Sequence, residues 1–158
     1  MATRWLGLTA SKDSVVMVDA EIPDDGDEPI IVHSDDTWRV QNGDRAEAYN
    51  VLHQQCADYI KENGINAVVV KASAVAGKGS ATLGFLLSAE VRGVVIAAAA
   101  SQCPVKALSK AVISRTYGDR KVDEYVADDG FWADQTTGGA LRKLSREAAM
   151  LLIAARNA

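Results

Sequence analysis

The first forty residues alternate between apolar and polar positions, which is the pattern of β-strands with one buried face. Two strands are predicted over residues 3–10 and 14–22, joined by a short polar turn. The strand-like segments 30–33 and 37–41 follow, and they form either one bulged strand or two short strands. Consecutive strands with such short connections favour an antiparallel meander.

The apolar spacing changes to steps of three and four after residue 44, which indicates an amphipathic helix. Asp44 is the predicted N-cap, with Glu47 at capping-box spacing, and Asn63-Gly64 is a suitable end. The helix is followed by an unbroken apolar run over residues 65–72, which predicts a buried strand.

A Gly-rich loop at residues 77–80 leads into a helix of small side chains over residues 81–101. Small side chains allow close backbone approach, so this helix is either central to the fold or the seam of a dimer. The rest of the chain predicts a strand at 103–108, a helix capped by Ser109, a second helix at 120–126, a polar loop at 127–139 and a last helix at 140–155.

The resulting order, β-β-β-α-β-α-β-α-α, predicts an α/β fold. Three antiparallel N-terminal strands and later parallel strands would form a mixed sheet flanked by helices. A length of 158 residues is typical of one domain. The sequence leaves open whether Phe131 and Trp132 in the polar loop pack inward or lie exposed as a contact.

Charge is unevenly distributed along the chain. Residues 1–70 hold 5 Lys/Arg and 13 Asp/Glu, whereas residues 71–158 hold 12 Lys/Arg and 8 Asp/Glu. This distribution excludes a uniformly basic nucleic-acid footprint but leaves room for a local basic face in the C-terminal half, although solvated helix surfaces are favoured. No signal peptide and no run of 18 apolar residues is found, so no membrane partner is expected and a cytoplasmic location is predicted.

Neither the cysteines nor the acids have the spacing of a metal site. Cys56 and Cys103 lack a CxxC or Cys/His partner and are interpreted as core residues. The acids of the N-terminal third do not fit the EF-hand pattern, and an exposed acidic hairpin is favoured. They are Asp19, Glu21, Asp24, Asp25, Asp27, Glu28, Asp35 and Asp36.

Several short segments resemble, in order and spacing, the RuvC-like branch of the Holliday-junction resolvases, which have an RNase H-like fold. They are Leu6-Gly7-Leu8, residues 67–71, Gly77 to Gly79 followed by Leu83, residues 89–94, Pro104-Val105 and residues 117–122. The resemblance covers most of the chain and implies an RNase H-like mixed sheet. It also implies a homodimer and a nuclease that holds Mg²⁺ or Mn²⁺ with carboxylates from the first strand, the fourth strand and the last helix.

The positions that the resemblance assigns to these carboxylates are Thr9, Lys71 and Glu147, so at most one acid remains. A unit positive charge about 4 Å from another costs roughly 4 kcal/mol at an effective dielectric of 20, and a divalent ion would about double that. We therefore expect no catalytic residues and no cofactor. An ion pair of Lys71 with Glu147, or simple solvation of Lys71, is favoured over phosphate binding by Lys71 and Lys78.

The leading hypothesis is a catalytically inactive RuvC-like protein that acts as a binding or scaffolding module. It would have a homodimer seam on the helix from Ala81 and could have a protein partner. One alternative is a divergent Mg²⁺- or Mn²⁺-dependent nuclease that uses Asp19, Glu21 and Glu147. Another is a nucleic-acid binder without chemistry, which would use Lys71, Lys78, Arg115, Arg120 and Lys121.

Overall fold

The computed structural model describes residues 3–74 and 82–158. The strands of this part of the chain are β1 (Thr3–Ala10), β2 (Ser14–Ile22), β3 (Ile30–Arg39), β4 (Ala67–Lys71), β5 (Val105–Leu108) and β6 (Thr136–Gly138). The helices are α1 (Arg45–Glu62), α2 (Leu83–Ala100), α3 (Lys110–Tyr117), α4 (Val122–Ala127), α5 (Asp129–Gln135) and α6 (Arg146–Asn157).

The strands form one six-stranded sheet in the order β5-β4-β1-β2-β3-β6. β2 pairs antiparallel with β1 and β3, whereas β4 pairs parallel with β1 and β5, and β6 pairs parallel with β3. The predicted mixed α/β sheet is therefore confirmed. The third strand is continuous, and its pairing with β2 shifts register between Asp19 and Ala20. The bulged-strand alternative is thus the correct one.

Alternation along the strands gives the sheet two apolar faces, and each face is covered by helices. Leu6 and Leu8 of β1 belong to a core with α1 and α2. Val18 of β2 and Val69 of β4 belong to a second core with α3 and α6. Seven consecutive apolar residues of α6, 148–154, are fully buried. The core therefore encloses most of the circumference of this helix. The two faces matter for function because they decide which side chains can meet.

A cluster of charged and polar side chains around the buried Asp19 joins α1 to β1 and β2. Asp19 is fully buried and accepts hydrogen bonds from Arg4 Nε at 2.8 Å and Arg4 Nη2 at 2.6 Å. The Tyr59 hydroxyl of α1 donates to the same carboxylate at 2.5 Å. Burial, followed by the hydrogen bond to Asp19, raises the pKa of Tyr59 to about 12. Asp19 therefore has a structural role, because Arg4 neutralises the charge of the Asp19 carboxylate.

The predicted polar loop at 127–139 is wrong, because these residues form α5 and β6. Asp128 caps α5 by accepting a hydrogen bond from the Phe131 amide at 3.1 Å. Trp132 is buried and donates from Nε1 to the Tyr125 carbonyl at 2.8 Å. Phe131 packs against Tyr117, Tyr125 and Trp132. Both aromatic residues therefore pack inward, and long-range contacts override the polar composition of this segment.

The last helix begins at Arg146 rather than at residue 140. The preceding segment is held to β3 instead, because Asp35 accepts hydrogen bonds from the Arg142 guanidinium at 2.8 Å and from the Ser145 hydroxyl. Arg142 and Ser145 hold the pKa of the Asp35 carboxyl below its usual range against the opposing effect of burial. Leu144, which precedes the helix, is 58% exposed.

By length and composition alone, α2 is long and apolar enough to cross a membrane. In this structure 22% of the helix is buried. Four of its residues, Val91, Val95, Ala98 and Ala99, are completely buried in the core beside α1. Core helices of folded domains meet the same criterion, so the composition of α2 is weak evidence for a membrane. The predicted helix at 81–101 is confirmed over Leu83–Ala100, while Ala81 and the loop at 77–80 lie outside the described residues.

Gly7 of β1 has no room for a side chain. A Cβ atom at this position would lie 2.3 Å from the Ala148 carbonyl oxygen of α6, and backbone atoms cannot easily yield. We expect Gly7→Ala to lower the free energy of unfolding by about 1–3 kcal/mol in urea denaturation. Gly84→Ala is the control, because its Cβ would make ordinary contacts, the nearest at 3.7 Å. Equal stability of the two variants would contradict the close approach.

Tyr59 should make the stability of the folded protein depend on pH in the alkaline range. Its folded-state pKa lies above its ordinary value of 10.0, so the neutral phenol stabilises the folded state below pH 10 and this contribution is lost as pH rises toward about 12. Tyr59→Phe should lower stability at pH 7 by about 1.5–3 kcal/mol, the usual range for a hydrogen bond to a charged group. The variant should also lose stability less steeply above pH 10, as measured by urea titration at each pH. An unchanged slope would contradict the assignment.

Candidate functional site

Thr9, Lys71 and Glu147 lie together at the carboxyl ends of β1 and β4. Leu8 pairs with Val70 in the parallel register, which places Thr9 beside Lys71 on the sheet face that α6 covers. Glu147 lies in the first turn of α6. These residues line a cavity of about 220 Å³ with Ala10, Ser11, Ser14 and Val16. The structure therefore brings together the three positions that sequence reasoning aligned.

Local chain geometry explains why the three side chains meet. β4 ends at Lys71, so this side chain is the last one that the strand fixes. The missing side chain of Gly7 allows α6 to approach β1 at Ala148, the residue next to Glu147. Glu147 is consequently held above the ends of the two parallel strands.

Lys71 and Glu147 form the predicted ion pair. The Lys71 ammonium donates to Glu147 Oε1 at 2.9 Å, and both side chains are about three-quarters buried, with relative exposures of 26% and 23%. Lys110 of α3 lies 3.8 Å from Glu147 Oε2 and donates to Asp123 of α4 at 3.1 Å. Glu147 thus lies between two ammonium groups, and its charge is compensated within the protein.

The donor set does not fit a divalent metal. Among the described residues that line the cavity, Glu147 carries the one carboxylate, and an ammonium group occupies part of its coordination space. Mg²⁺ prefers oxygen ligands in octahedral geometry. Within residues 3–74 and 82–158, no group of three or more His, Cys, Asp or Glu could hold a metal ion.

The acids proposed for the nuclease alternative are not brought together. Asp19 and Glu21 alternate with Val18 and Ala20 along β2, so they point away from the face covered by α6, where Glu147 lies. Asp19 is fully engaged by Arg4 and Tyr59. The structure therefore separates these two acids from Glu147.

The basic residues proposed for nucleic-acid binding are distributed over separate elements. Arg115 is exposed in the last turn of α3, and Lys121 is exposed at the start of α4. Arg120 bonds Asp128 at 3.1 Å and lies over the Tyr125 ring at 4.3 Å from its centroid. Lys71 is paired with Glu147, and Lys78 lies outside the described residues. Two of the five residues are thus engaged in contacts inside the protein.

Sequence reasoning missed Arg92 as a site residue. This residue of α2 crosses to the ends of β1 and β4, where Nη1 donates to Ser73 Oγ at 2.7 Å and Nη2 to the Ala10 carbonyl at 3.5 Å. Its Nε is buried without a hydrogen-bond partner among the described residues. Burial lowers the pKa of Arg92, and no described carboxylate offsets this effect. No local pattern marks Arg92, because α2 also carries Glu90 and because the reach of Arg92 to Ser73 depends on the fold.

Comparison with known proteins gives structural matches alone. No protein-family model matches the sequence, and no curated protein matches it. Among solved structures, Thermus thermophilus RuvC, including its complex with a Holliday junction substrate, aligns with a TM-score of 0.70 and 11% identity. In the complex the alignment covers 96% of this chain and 91% of RuvC. The yeast mitochondrial Holliday junction resolvase aligns with a TM-score of 0.65 and 10% identity, over 98% of this chain and 78% of that chain.

Identities of 10–11% carry the fold but not the residues of a site. The coverage extends over almost the whole chain, as the sequence resemblance implied. The antiparallel pairing of β1, β2 and β3 and the parallel pairing of β4 with β1 and β5 agree with an RNase H-like fold. The chain therefore has the RuvC-like form of the RNase H-like fold.

Proposed function

We propose that this protein is a catalytically inactive relative of the RuvC-like resolvases that serves as a binding or scaffolding module in nucleic-acid metabolism. The observation that carries the proposal is the 2.9 Å ion pair between Lys71 and Glu147 at the ends of the parallel strands. A positive side chain holds the carboxylate that a metal would need. The matched structures support the choice of field, because one of them is RuvC in complex with a Holliday junction substrate.

Electrostatics disfavours metal binding even if the ion pair opened. A divalent ion about 4 Å from the Lys71 ammonium would be opposed by roughly 8 kcal/mol at an effective dielectric of 20. Thr9 offers a neutral hydroxyl, which compensates little of this repulsion. Glu147 would also have to leave Lys71 and Lys110, its two cationic neighbours. The pocket is thus organised around a salt bridge, and binding rather than hydrolysis is the activity that it supports.

Restoring carboxylates provides the direct test of this proposal. Thr9→Asp combined with Lys71→Glu places three acids around the cavity and removes the ammonium group. The double variant should bind Mn²⁺ with micromolar affinity in isothermal titration calorimetry, whereas the native protein should give no heat of binding. Lys61→Glu, an exposed substitution at the far end of α1 that repeats the charge change of Lys71→Glu, is the control and should remain unable to bind.

Two results would refute catalytic inactivity. One is Mn²⁺ binding by the native protein with the stoichiometry of a built site. The other is cleavage of a four-way DNA junction in Mg²⁺ or Mn²⁺ that disappears in Glu147→Ala. The second result would restore the nuclease alternative, with acids recruited from positions other than Asp19.

We further propose that two copies associate through α2 and α1. Leu83 and Leu86 are 71% and 53% exposed, and the same helix continues with exposed Gly93, Ala97 and Ala100. A shallow groove of about 580 Å³ runs beside this stripe and is lined by α1 and α2. Gly93 leaves open space within the groove, since a Cβ there would meet no atom within 4 Å. A second copy of α2 could approach closely at this point and cover the exposed leucines.

A charge placed in this seam tests the dimer. Ala97→Glu should convert the dimer to a monomer in light scattering, because the new carboxylate would be desolvated at the contact and would add a second negative charge to a groove that Glu90 lines. Ala111→Glu, an equivalent change at an exposed position of α3, should leave the dimer intact. A native protein that remains monomeric at high concentration would remove the proposal.

A further inference from the structure

The strand β5 lies at one edge of the sheet, and half of its backbone groups point away from β4. The Val68 amide of β4 donates to the Pro104 carbonyl at 3.0 Å, so Pro104 faces β4. Because backbone groups alternate sides along a strand, the amides and carbonyls of Val105 and Ala107 point outward. No other strand of the described chain pairs with this outer side. The edge therefore has donors and acceptors that a further strand could use.

An apolar cavity of about 170 Å³ lies beside this edge. Trp5 of β1, Ala67 of β4 and Ala155 of α6 line it together with Lys106 of β5. An apolar cavity of about 150 Å³ is large enough to hold benzene. This cavity can therefore accept one large apolar side chain that reaches over β5 from outside the sheet.

The cavity lies at the amino ends of the parallel strands, away from Lys71 and Glu147. Ala67 is the first residue of β4 and pairs with Trp5, and Pro104 immediately precedes β5. Lys71 is the last residue of β4. The cavity is therefore separate from the candidate site, and its occupation does not depend on whether that site holds a metal.

Lys106 gives this edge a positive charge without a partner. Its pairing with Val69 places the side chain on the sheet face that α6 covers, beside the cavity. Lys106 is exposed and forms no ion pair or hydrogen bond through its side chain within the described part of the chain. A lysine on an edge strand discourages association with other edges. An acidic residue is the one type of neighbour that this charge attracts.

The same lysine disfavours a second copy of β5 as the occupant of the edge. Two antiparallel copies use all of their outward groups when Val105 of each copy faces Ala107 of the other. This register places the two Lys106 side chains directly opposite each other, where like charges are destabilising. The edge is therefore better suited to a different chain with an acid at that position.

We propose that the outer edge of β5 binds an extended peptide segment of a partner protein. The segment adds a strand to the sheet through the backbone groups of Val105 and Ala107. A Glu or Asp of the segment faces Lys106, and a large apolar side chain two residues away, on the same face, enters the cavity. The inference rests on the proposed binding role, to which it gives a class of partner.

Two synthetic peptides with blocked termini test the proposal, one for each strand direction. They are Ser-Val-Thr-Phe-Thr-Glu-Thr-Val-Ser and its reverse, Ser-Val-Thr-Glu-Thr-Phe-Thr-Val-Ser. Each is titrated into isotopically labelled native protein by NMR. With at least one peptide, the amides of Val105 and Ala107 and the indole N–H of Trp5 should shift. Replacing the Phe of that peptide by Ala should weaken binding about tenfold or more, the value of one buried aromatic side chain.

A charge reversal tests the role of Lys106. Lys106→Glu, or a Lys in place of the Glu of the peptide, should weaken binding by about three- to tenfold, and the two changes together should restore it. A merely structural effect of Lys106→Glu would not be rescued by a change in the peptide. Lys12→Glu, in the exposed turn between β1 and β2, is the matched control and should change the affinity by less than about twofold.

Ala107→Pro tests the added strand. It removes an outward amide and leaves the hydrogen bonds to β4 in place, a change that edge strands tolerate. The variant should bind the peptide about tenfold more weakly or worse, because the hydrogen bond is lost and the ring obstructs the new strand. If it instead converted a native dimer to a monomer in light scattering, a second copy would occupy the edge and the proposal would be wrong.

The absence of shifts at Val105 and Ala107 with both peptides would also overturn the proposal, as would binding that is indifferent to the charge at Lys106. The titration of the native protein needs no variant, so it decides the matter even if a variant does not fold. The metal and junction-cleavage assays concern the other end of the strands. Cleavage accompanied by peptide binding would refute catalytic inactivity alone, whereas an inactive protein without these shifts would refute this inference alone.

Discussion

The contact between two backbones at Gly7 organises the end of the sheet where the candidate site lies. β1 and α6 approach so closely there that a single added carbon would lie 2.3 Å from the Ala148 carbonyl oxygen. Glu147 precedes that contact by one residue, so its carboxylate is fixed above the ends of β1 and β4. Lys71 can then reach it at 2.9 Å. The missing side chain in a central strand thus determines the geometry of the site as well as the packing of the core.

Two clusters in this molecule illustrate how surroundings decide the role of an acid. Asp19 is fully buried and accepts hydrogen bonds from Arg4 and Tyr59, so it joins α1 to the sheet and is inaccessible to a ligand. Glu147 is partly exposed beside a cavity, yet its charge is compensated by two lysines. Neither acid is free to hold a metal. The environment of these two acids therefore depends on the cations beside them as much as on their own positions.

Much of the fold could be predicted from the sequence because its periodicities are strong. The period of two in β1 and β2, the caps of α1 and the apolar run of β4 each reflect local physics. α5 was missed because the polar composition around the Asp128 cap hides it, and β6 was missed because it forms by pairing with β3, which is distant in sequence. The start of α6 was misplaced for a similar reason: Asp35, more than a hundred residues earlier, binds Arg142 and Ser145 and keeps them out of the helix.

The residues of the candidate site also differ in whether the sequence could predict them. Thr9, Lys71 and Glu147 were aligned through the resemblance to the RuvC-like resolvases, which assigns them to the first strand, the fourth strand and the last helix. Arg92 could not be predicted, because its importance depends on how far α2 allows the side chain to reach and on what fails to meet it there. An uncompensated charge is a property of the folded environment and has no signature in spacing. This asymmetry explains why the sequence points to Thr9, Lys71 and Glu147, whereas the structure adds Arg92, whose Nε has no hydrogen-bond partner among the described residues.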